Sequence, residues 1–359
     1  MAKKTEQEKF AELMEMKTNE AAKQIVHVVT SCGLTPTASI VSIVKATAIL
    51  LESFDATGED AAYLEMILKN TIGPARQESE RHYCLDWVKM ELATNMIGAI
   101  IGDIVGSRWE FNPTNDYNFE WLSRENGFTD DTICTVAVAD ALLHGRDFGE
   151  SIHDWCNRYP HPMGGYGGRF AQWVRSKDPQ PYNSFGNGSA MRVSPIGMWF
   201  GKREDVLEQA KKTAECSHNH PEGIKGAQTV ALAIYQAIIL REEIKYGIEG
   251  MKELMAYATT FSKYHIDIRK EDVENRFDET CQGTVPVALW VIYNSRSYED
   301  AIRKAVSLGA DADTLGAIVG GIAEAIWGVP EEMKQRVMTE YLPSEMKEVI
   351  DVFYEQINK

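Results

Sequence analysis

Two short strings of the sequence place oxygen-bearing side chains close together. In the first string Thr129 precedes Asp130 and Asp131. In the second, Asp311 and Asp313 precede Thr314. All are hard oxygen ligands, and no C-x-x-C spacing or histidine pair accompanies them. This donor set favours Mg²⁺ or Mn²⁺ over zinc. So much negative charge also suits two ions, which lie roughly 3.5–4 Å apart in two-metal sites.

The alternative is that both strings are only helix starts. Thr129 can cap a helix and the following carboxylates favour the positive end of its dipole, as they would on any solvated helix. The segments that follow, residues 132–143 and 315–327, are apolar around most of the helix and therefore belong near the interior. Buried adjacent carboxylates are costly without a cation. Spacing alone leaves both interpretations open.

Upstream, Gly98, Gly102 and Gly106 recur at every fourth residue. This spacing leaves one helix face bare, so that another helix or a ligand can approach its backbone. Asp103 in this segment could cap a helix or position a ligand. Glu110 stands between two aromatic residues, where a raised pKa would suit acid/base work.

The string Ser184-Phe185-Gly186-Asn187-Gly188 could form a loop whose N–H groups bind phosphate oxygens. A tight turn is an equal alternative. Further on, His218 precedes a predicted helix and could form a hydrogen bond with a ligand or have a structural role.

Apolar residues recur at helical spacing along most of the chain, and alternating strand patterns are scarce. We therefore predict an all-α protein. Near Met96 glycines begin to cluster and the motif-like strings start. This change predicts an N-terminal helical accessory region at residues 1–90 and a catalytic domain at residues 96–359. The N-terminal region could be extra helices on the catalytic body or could bind a protein partner.

The composition excludes several classes of protein. The chain has 359 residues, and 53 acidic against 37 basic residues give a net charge of −16, which disfavours nucleic acid and anionic membranes as general partners. No secretory signal is visible at the start, and the longest apolar stretch, residues 229–240, is too short to span a membrane. The cysteines are scattered. These features predict a cytoplasmic protein with reduced thiols.

The order of the motifs is more specific than any one of them. It runs G-D-I-V-G-S-R-W-E-F, F-T-D-D-T, S-F-G-N-G-S-A-M-R-V-S-P, H-N-H-P-E-G-I-K-G-A-Q, C-Q-G-T-V-P and L-G-A-D-A-D-T-L-G-A-I-V-G. Over residues 96–330 this order resembles the ADP-ribosylglycohydrolase family, which includes the dinitrogenase reductase-activating glycohydrolases. The resemblance implies a compact all-α fold with two Mg²⁺ ions in a cleft, cleaving the N- or O-glycosidic bond between ADP-ribose and an acceptor.

The resemblance also implies roles for single residues. Thr129, Asp130, Asp131, Asp311, Asp313 and Thr314 match metal ligands, and Ser184, Phe185, Gly186, Asn187, Gly188 and His218 match residues that contact ADP-ribose. Glu110 matches a carboxylate implicated in catalysis or gating. Ala310 is a departure, because the family usually has a second glycine there; the extra methyl group should leave ligation intact.

The implied mechanism has two ions that bind the 2- and 3-hydroxyls of the distal ribose and activate a water for attack at C1. Glu110, Asp131 and Asp311 are the candidates for moving the proton. Opening of the ribose ring before cleavage is the alternative path. The alternative functions are a non-catalytic ADP-ribose-binding protein and a metal-dependent phosphohydrolase acting on the pyrophosphate.

Overall fold

The computed structural model describes residues 96–358, so the predictions for the N-terminal region lie outside the described residues. The described part folds without strands, and an isolated antiparallel bridge joins Gly186 to Thr280. The predicted all-α class is confirmed for it. Its helices are α1 (Ile97–Ser107), α2 (Asp130–His144), α3 (Phe148–Arg158), α4 (Gly168–Arg175), α5 (Gly188–Met191), α6 (Ser194–Trp199), α7 (Arg203–Glu215), α8 (Pro221–Ile239), α9 (Arg241–Tyr246), α10 (Ile248–Ser262), α11 (Lys270–Val273), α12 (Cys281–Tyr293), α13 (Tyr298–Val306), α14 (Ala312–Trp327), α15 (Glu331–Glu340) and α16 (Ser344–Ile357).

The fold is centred on α1 and α14, which pack antiparallel with their backbones almost in contact. A Cβ built on Gly102 would lie 2.0 Å from the carbonyl oxygen of Gly316, and one built on Gly320 would lie 2.1 Å from that of Gly98. At the far end, Gly106 meets Ala312 in the same way. The glycine spacing therefore serves helix packing, and the end of α1 is held against the start of α14.

The helices that carry the acidic strings are buried as their apolar sequences predict. Every residue of α14 from Ala312 to Ile326 is buried, and so are residues 131–141 of α2. Helix α14 ends at Trp327, where Gly328 adopts φ 72° and Pro330 follows. Among the described residues, no helix is long and apolar enough to cross a membrane.

Candidate active site

Three helix ends bring the predicted carboxylates together. Ligand oxygens of Asp103, Asp131 and Asp313 all lie within 4.8 Å of one another, and so do those of Glu110, Asp311 and Asp313. Asp313 belongs to both groups, so they form one carboxylate cluster. Two overlapping sets of hard oxygen donors can hold divalent metal ions.

Most of the acids in the cluster are not solvated. Asp131, Asp311 and Asp313 are 1%, 5% and 3% exposed. Asp130, which belongs to neither of the two groups of close ligand oxygens, is half-buried. Helix α2 does begin with a side-chain cap, because Thr129 Oγ1 accepts a hydrogen bond from the N–H of Asp131 at 3.2 Å. Helix α14 has no such cap. A simple pair of capped helices with solvated acids therefore does not describe the site.

Asp131 provides the test of whether a cation fits. Its Oδ2 accepts a hydrogen bond from Thr314 Oγ1 at 3.3 Å and lies 3.3 Å from Thr129 Oγ1, whose proton is directed mainly to Asp103 at 2.7 Å. Its Oδ1 is buried without a hydrogen-bond partner among the described residues. Burial, then the charges of Asp103 and Asp130, raise the pKa of Asp131 well above its usual value. An unpartnered buried carboxylate oxygen among other carboxylates is expensive unless a cation binds it. The residues present fit a metal ion.

Burial is also the largest cause of raised pKa values elsewhere in the cluster. The pKa of Asp311 rises to about 6, and those of Asp130 and Asp313 rise well above the usual value because burial adds to repulsion from neighbouring carboxylates. The cluster is thus electrostatically incomplete without added positive charge.

Asp103 fixes the first acidic string in place. Its carboxylate accepts hydrogen bonds from the N–H and hydroxyl of Thr129, at 3.0 and 2.7 Å, and from the N–H and hydroxyl of Thr132, the former at 3.1 Å. Asp103 is fully buried, and that burial raises its pKa to about 6. From the sequence, Asp103 could either cap a helix or position a ligand. The structure shows that it caps α2 across the chain and also faces the cluster.

Glu110 lies at the more open side of the cluster. It is half-buried, and burial followed by the charge of Asp311 raises its pKa to about 7. Gly164, at φ 75°, lies directly over it, since a Cβ there would be 2.5 Å from Glu110 Oε2. The glycine-rich loop at residues 164–168 therefore borders the site.

The loop at residues 184–188 adjoins the cluster at Asp311. Asn187 Nδ2 donates to Asp311 Oδ2 at 2.7 Å and to Thr284 Oγ1 at 3.0 Å. The N–H of Asn187 donates to the carbonyl of Glu279, and the N–H of Cys281 donates to that of Phe185. The loop is therefore anchored, and it opens the short helix α5 at Gly188.

The remaining predicted residues lie around this loop. His218 is 5% exposed and its Nε2 would lie 3.2 Å from a Cβ on Gly188. Ser184 Oγ accepts a hydrogen bond from the N–H of Gly186 at 3.1 Å. The Phe185 ring is 42% exposed and packs edge-on against His220. An exposed ring beside an anchored glycine loop can stack on a ligand.

Comparison of the sequence with known proteins identifies the family to which this all-α fold and its acidic site belong. The family model described as ADP-ribosylglycohydrolase matches residues 93–359, so the chain belongs to that family. The resemblance inferred from motif order is confirmed, and so is the prediction that the chain is a glycohydrolase.

Individual relatives agree with this assignment. The chain is 26% identical to ADP-ribosylhydrolase ARH3 of Danio rerio over 65% of this chain and 82% of that protein. It is 23% identical to ADP-ribosylarginine hydrolase Tri1 of Pseudomonas putida, over 71% and 76% of the two chains. It is 24% identical to ADP-ribosyl-[dinitrogen reductase] glycohydrolase of Rhodospirillum rubrum, over 66% and 85%.

A solved structure shows the same fold. It is a chain of an ADP-ribosylglycohydrolase-related protein complex, with a TM-score of 0.56 and 22% identity, and the match covers 76% of this chain and 99% of that one. At this identity the likeness concerns the fold alone.

Proposed function

We propose that this chain is a Mg²⁺-dependent hydrolase that cleaves the glycosidic bond between ADP-ribose and an acceptor, releasing ADP-ribose. The observation that carries the proposal is the pair of overlapping carboxylate groups sharing Asp313, linked through Asn187 to a glycine loop. The names of three relatives, each of which describes hydrolysis of an ADP-ribosyl group, support it.

In this proposal the metal is held by the cluster. The proposed ligands are Asp130, Asp131, Asp311, Asp313, Thr129 and Thr314. Their hard oxygens suit Mg²⁺, with Mn²⁺ as the alternative. When bound, the ions supply Lewis acidity and orient the ribose hydroxyls and the attacking water. Asp103 acts beside them by holding Thr129 in place through its two hydrogen bonds.

The protein's own groups then have separate tasks. Asn187 holds Asp311 in one orientation through the 2.7 Å hydrogen bond, while the loop it belongs to binds the diphosphate. Glu110 is half-buried and lies within reach of Asp311 and Asp313, so it can move a proton between the cluster and the substrate. Positive charge that builds on the anomeric carbon is stabilised by the surrounding carboxylates.

The test is incubation of the full chain with Mg²⁺ and a panel of ADP-ribosylated acceptors: arginine, serine, a nucleic-acid base and acetyl-ADP-ribose. Mass spectrometry of the products separates the alternatives, because hydrolysis yields ADP-ribose, a binding protein gives no turnover and a phosphohydrolase gives AMP. Release of AMP, or no release of ADP-ribose from any acceptor, would overturn the proposal. The panel also identifies the acceptor.

Glu110→Gln tests which carboxylate moves the proton. We expect kcat to fall by roughly 100-fold or more, the usual scale of general acid/base catalysis, with the Mg²⁺-induced rise in melting temperature retained. If this variant kept wild-type kcat, the role would pass to Asp131 or Asp311.

A further inference from the structure

A buried arginine lies behind the glycine loop, outside the carboxylate cluster. Arg192 follows α5 and is 0% exposed. Its Nη2 donates to the carbonyl of Thr213 at 2.7 Å and to Ser217 Oγ at 2.9 Å, both of which are neutral groups. Its Nε and Nη1 are buried and have no hydrogen-bond partner within residues 96–358. A charged side chain is rarely buried in this way for packing alone, since its desolvation costs several kcal/mol.

The arginine controls the direction of the next hydrogen bond. Because Nη2 can only donate, Ser217 Oγ accepts from it and keeps its own proton to donate. His218 Nδ1 lies 2.8 Å from Ser217 Oγ. The competing acceptor is the thiol of Cys216 at 3.8 Å, and a neutral sulfur is a weak acceptor. Ser217 Oγ has a second lone pair and could also accept from a protonated Nδ1, but its own buried proton would then have only this sulfur as an acceptor among the described residues. The arrangement that gives every group a good partner is the one in which the hydroxyl donates to Nδ1.

This direction decides the tautomer of His218. With Nδ1 accepting, a neutral imidazole carries its proton on Nε2. Burial, followed by the positive charges of Arg192 and Arg169, holds the pKa of His218 well below its usual value, which keeps the ring neutral. The network thus delivers a single N–H donor at one ring position.

That donor faces the loop. Nε2 would lie 3.2 Å from a Cβ on Gly188 and 3.5 Å from a Cβ on Gly186. The glycines leave room there, so the Nε2–H group can reach an oxygen of a ligand that lies over the loop. The buried charge of Arg192, without a neighbouring acid among its hydrogen-bond partners, favours an anionic ligand.

We propose that Arg192 is a positioning residue, acting through Ser217, that fixes His218 Nε2–H as a hydrogen-bond donor to the diphosphate of the substrate. The inference rests on the proposed function in that it takes ADP-ribose as the ligand. It adds a reason for the Arg192 side chain to be buried without an acidic partner.

The first experiment measures the tautomer directly in the free protein. Long-range proton–nitrogen NMR of the full chain, with His218 assigned by its loss in His218→Gln, should show Nε2 protonated and Nδ1 bare. Ser217→Ala should yield a mixture of tautomers, because Nδ1 loses its donor. Ser262→Ala, a buried serine that donates to Ala258 in a helix, is the matched control and should leave the His218 signals unchanged.

The second experiment measures binding without turnover. By calorimetry, Ser217→Ala should weaken binding of ADP-ribose about tenfold while binding of adenosine, which lacks the diphosphate, changes less than twofold. Arg192→Lys should show the same selectivity, since it keeps the charge but not the fork of donors. Ser217→Ala remains the decisive variant if Arg192→Lys does not fold.

The inference is overturned if wild-type His218 carries its proton on Nδ1, or if Ser217→Ala weakens ADP-ribose and adenosine equally. Absence of any ADP-ribose binding by the wild-type protein would overturn both proposals. Binding with the predicted selectivity, but without hydrolysis of any acceptor, would support the positioning role and remove only the proposed enzymatic function.

Discussion

The carboxylate cluster and the region formed by the loop at residues 184–188, His218 and Arg192, here called the loop region, have opposite unbalanced charges. The cluster contains buried acids whose pKa values are raised by burial and mutual repulsion, and Asp131 Oδ1 has no hydrogen-bond partner in the described part of the chain. The loop region has a buried cation, Arg192, whose hydrogen-bond partners are neutral, and a histidine whose pKa is lowered. One region lacks positive charge and the other lacks negative charge.

The comparison teaches where each region obtains its missing charge. For the cluster, our proposal assigns this role to a divalent ion, because the first turns of α2 and α14 offer only partial positive charge. For the loop region, it assigns the role to an anionic ligand. Both charges would arrive from outside the chain, so binding of metal and of nucleotide should be separable by mutation.

The largest effect should come from removing a carboxylate that the proposal names as a metal ligand. We expect Asp131→Asn, Asp130→Asn and Asp311→Asn each to lower turnover at least about 100-fold, because loss of even an indirect metal partner costs 10–100-fold. The Mg²⁺-induced rise in melting temperature should also shrink. Differential scanning fluorimetry with Mg²⁺ or EDTA and the ADP-ribose release assay measure the two effects.

Asp140→Asn is the matched control for this prediction. Asp140 lies on the same helix and is buried, but Arg146 and Trp155 already bind its carboxylate. Its variant should lower stability and keep the response to Mg²⁺. Equal losses of the Mg²⁺ response in Asp131→Asn and Asp140→Asn would contradict a metal role for the cluster.

The next largest effect concerns the close contact between α1 and α14, which holds the cluster together. Gly102→Ala should lower the free energy of unfolding by about 2–3 kcal/mol, because its Cβ would lie 2.0 Å from a backbone oxygen that cannot move alone. Gly168→Ala, with open space around it, should change stability by less than about 1 kcal/mol. Urea denaturation measures both, and similar values would contradict the close approach of α1 and α14.

Much of the cluster could be predicted because its signals are local. The glycine spacing in α1 and the apolar run after Asp311 both follow from helix periodicity, and both elements form as predicted. The importance of Asp103 was underestimated, since its bonds to Thr129 and Thr132 join residues 26 and 29 positions apart. No local pattern reports such a contact.

The loop region was harder to predict for the same reason. The sequence left His218 between ligand contact and structural role, and it gave no signal for Arg192. Their relation depends on Ser217, which bonds to an arginine 25 positions away. Only the packing of α7 and α8 around α5 reveals that Arg192, Ser217 and His218 form one network.

A smaller effect should follow from crowding the loop without touching the cluster. Gly188→Ala places a methyl group 3.2 Å from His218 Nε2, so we expect ADP-ribose affinity to fall about tenfold with little change in stability. Gly247→Ala, between α9 and α10 with nothing among the described residues within 4 Å of the added methyl group, is the control. Calorimetry with ADP-ribose should leave the control within twofold of wild type. The Mg²⁺ response should be normal in both, and its loss in Gly188→Ala would break the separation of the two regions.

The last effect is a pH dependence that originates in the loop region. The pKa of His218 is held well below 6.5 in the folded protein by burial and by Arg192, while the unfolded chain takes up a proton near 6.5. Below that pH the unfolded state binds the additional proton, so the stability contributed by neutral His218 is lost as pH falls. The slope from this group can reach about 1.4 kcal/mol per pH unit.

Urea denaturation between pH 7 and pH 5 should therefore show a shallower acid slope in His218→Gln than in wild type, whereas His161→Gln, at an exposed position, should keep the wild-type slope. Parallel slopes in wild type and His218→Gln would mean that His218 takes up a proton in the folded protein as readily as in the unfolded chain, and the electrostatic contrast between the two regions would then be wrong.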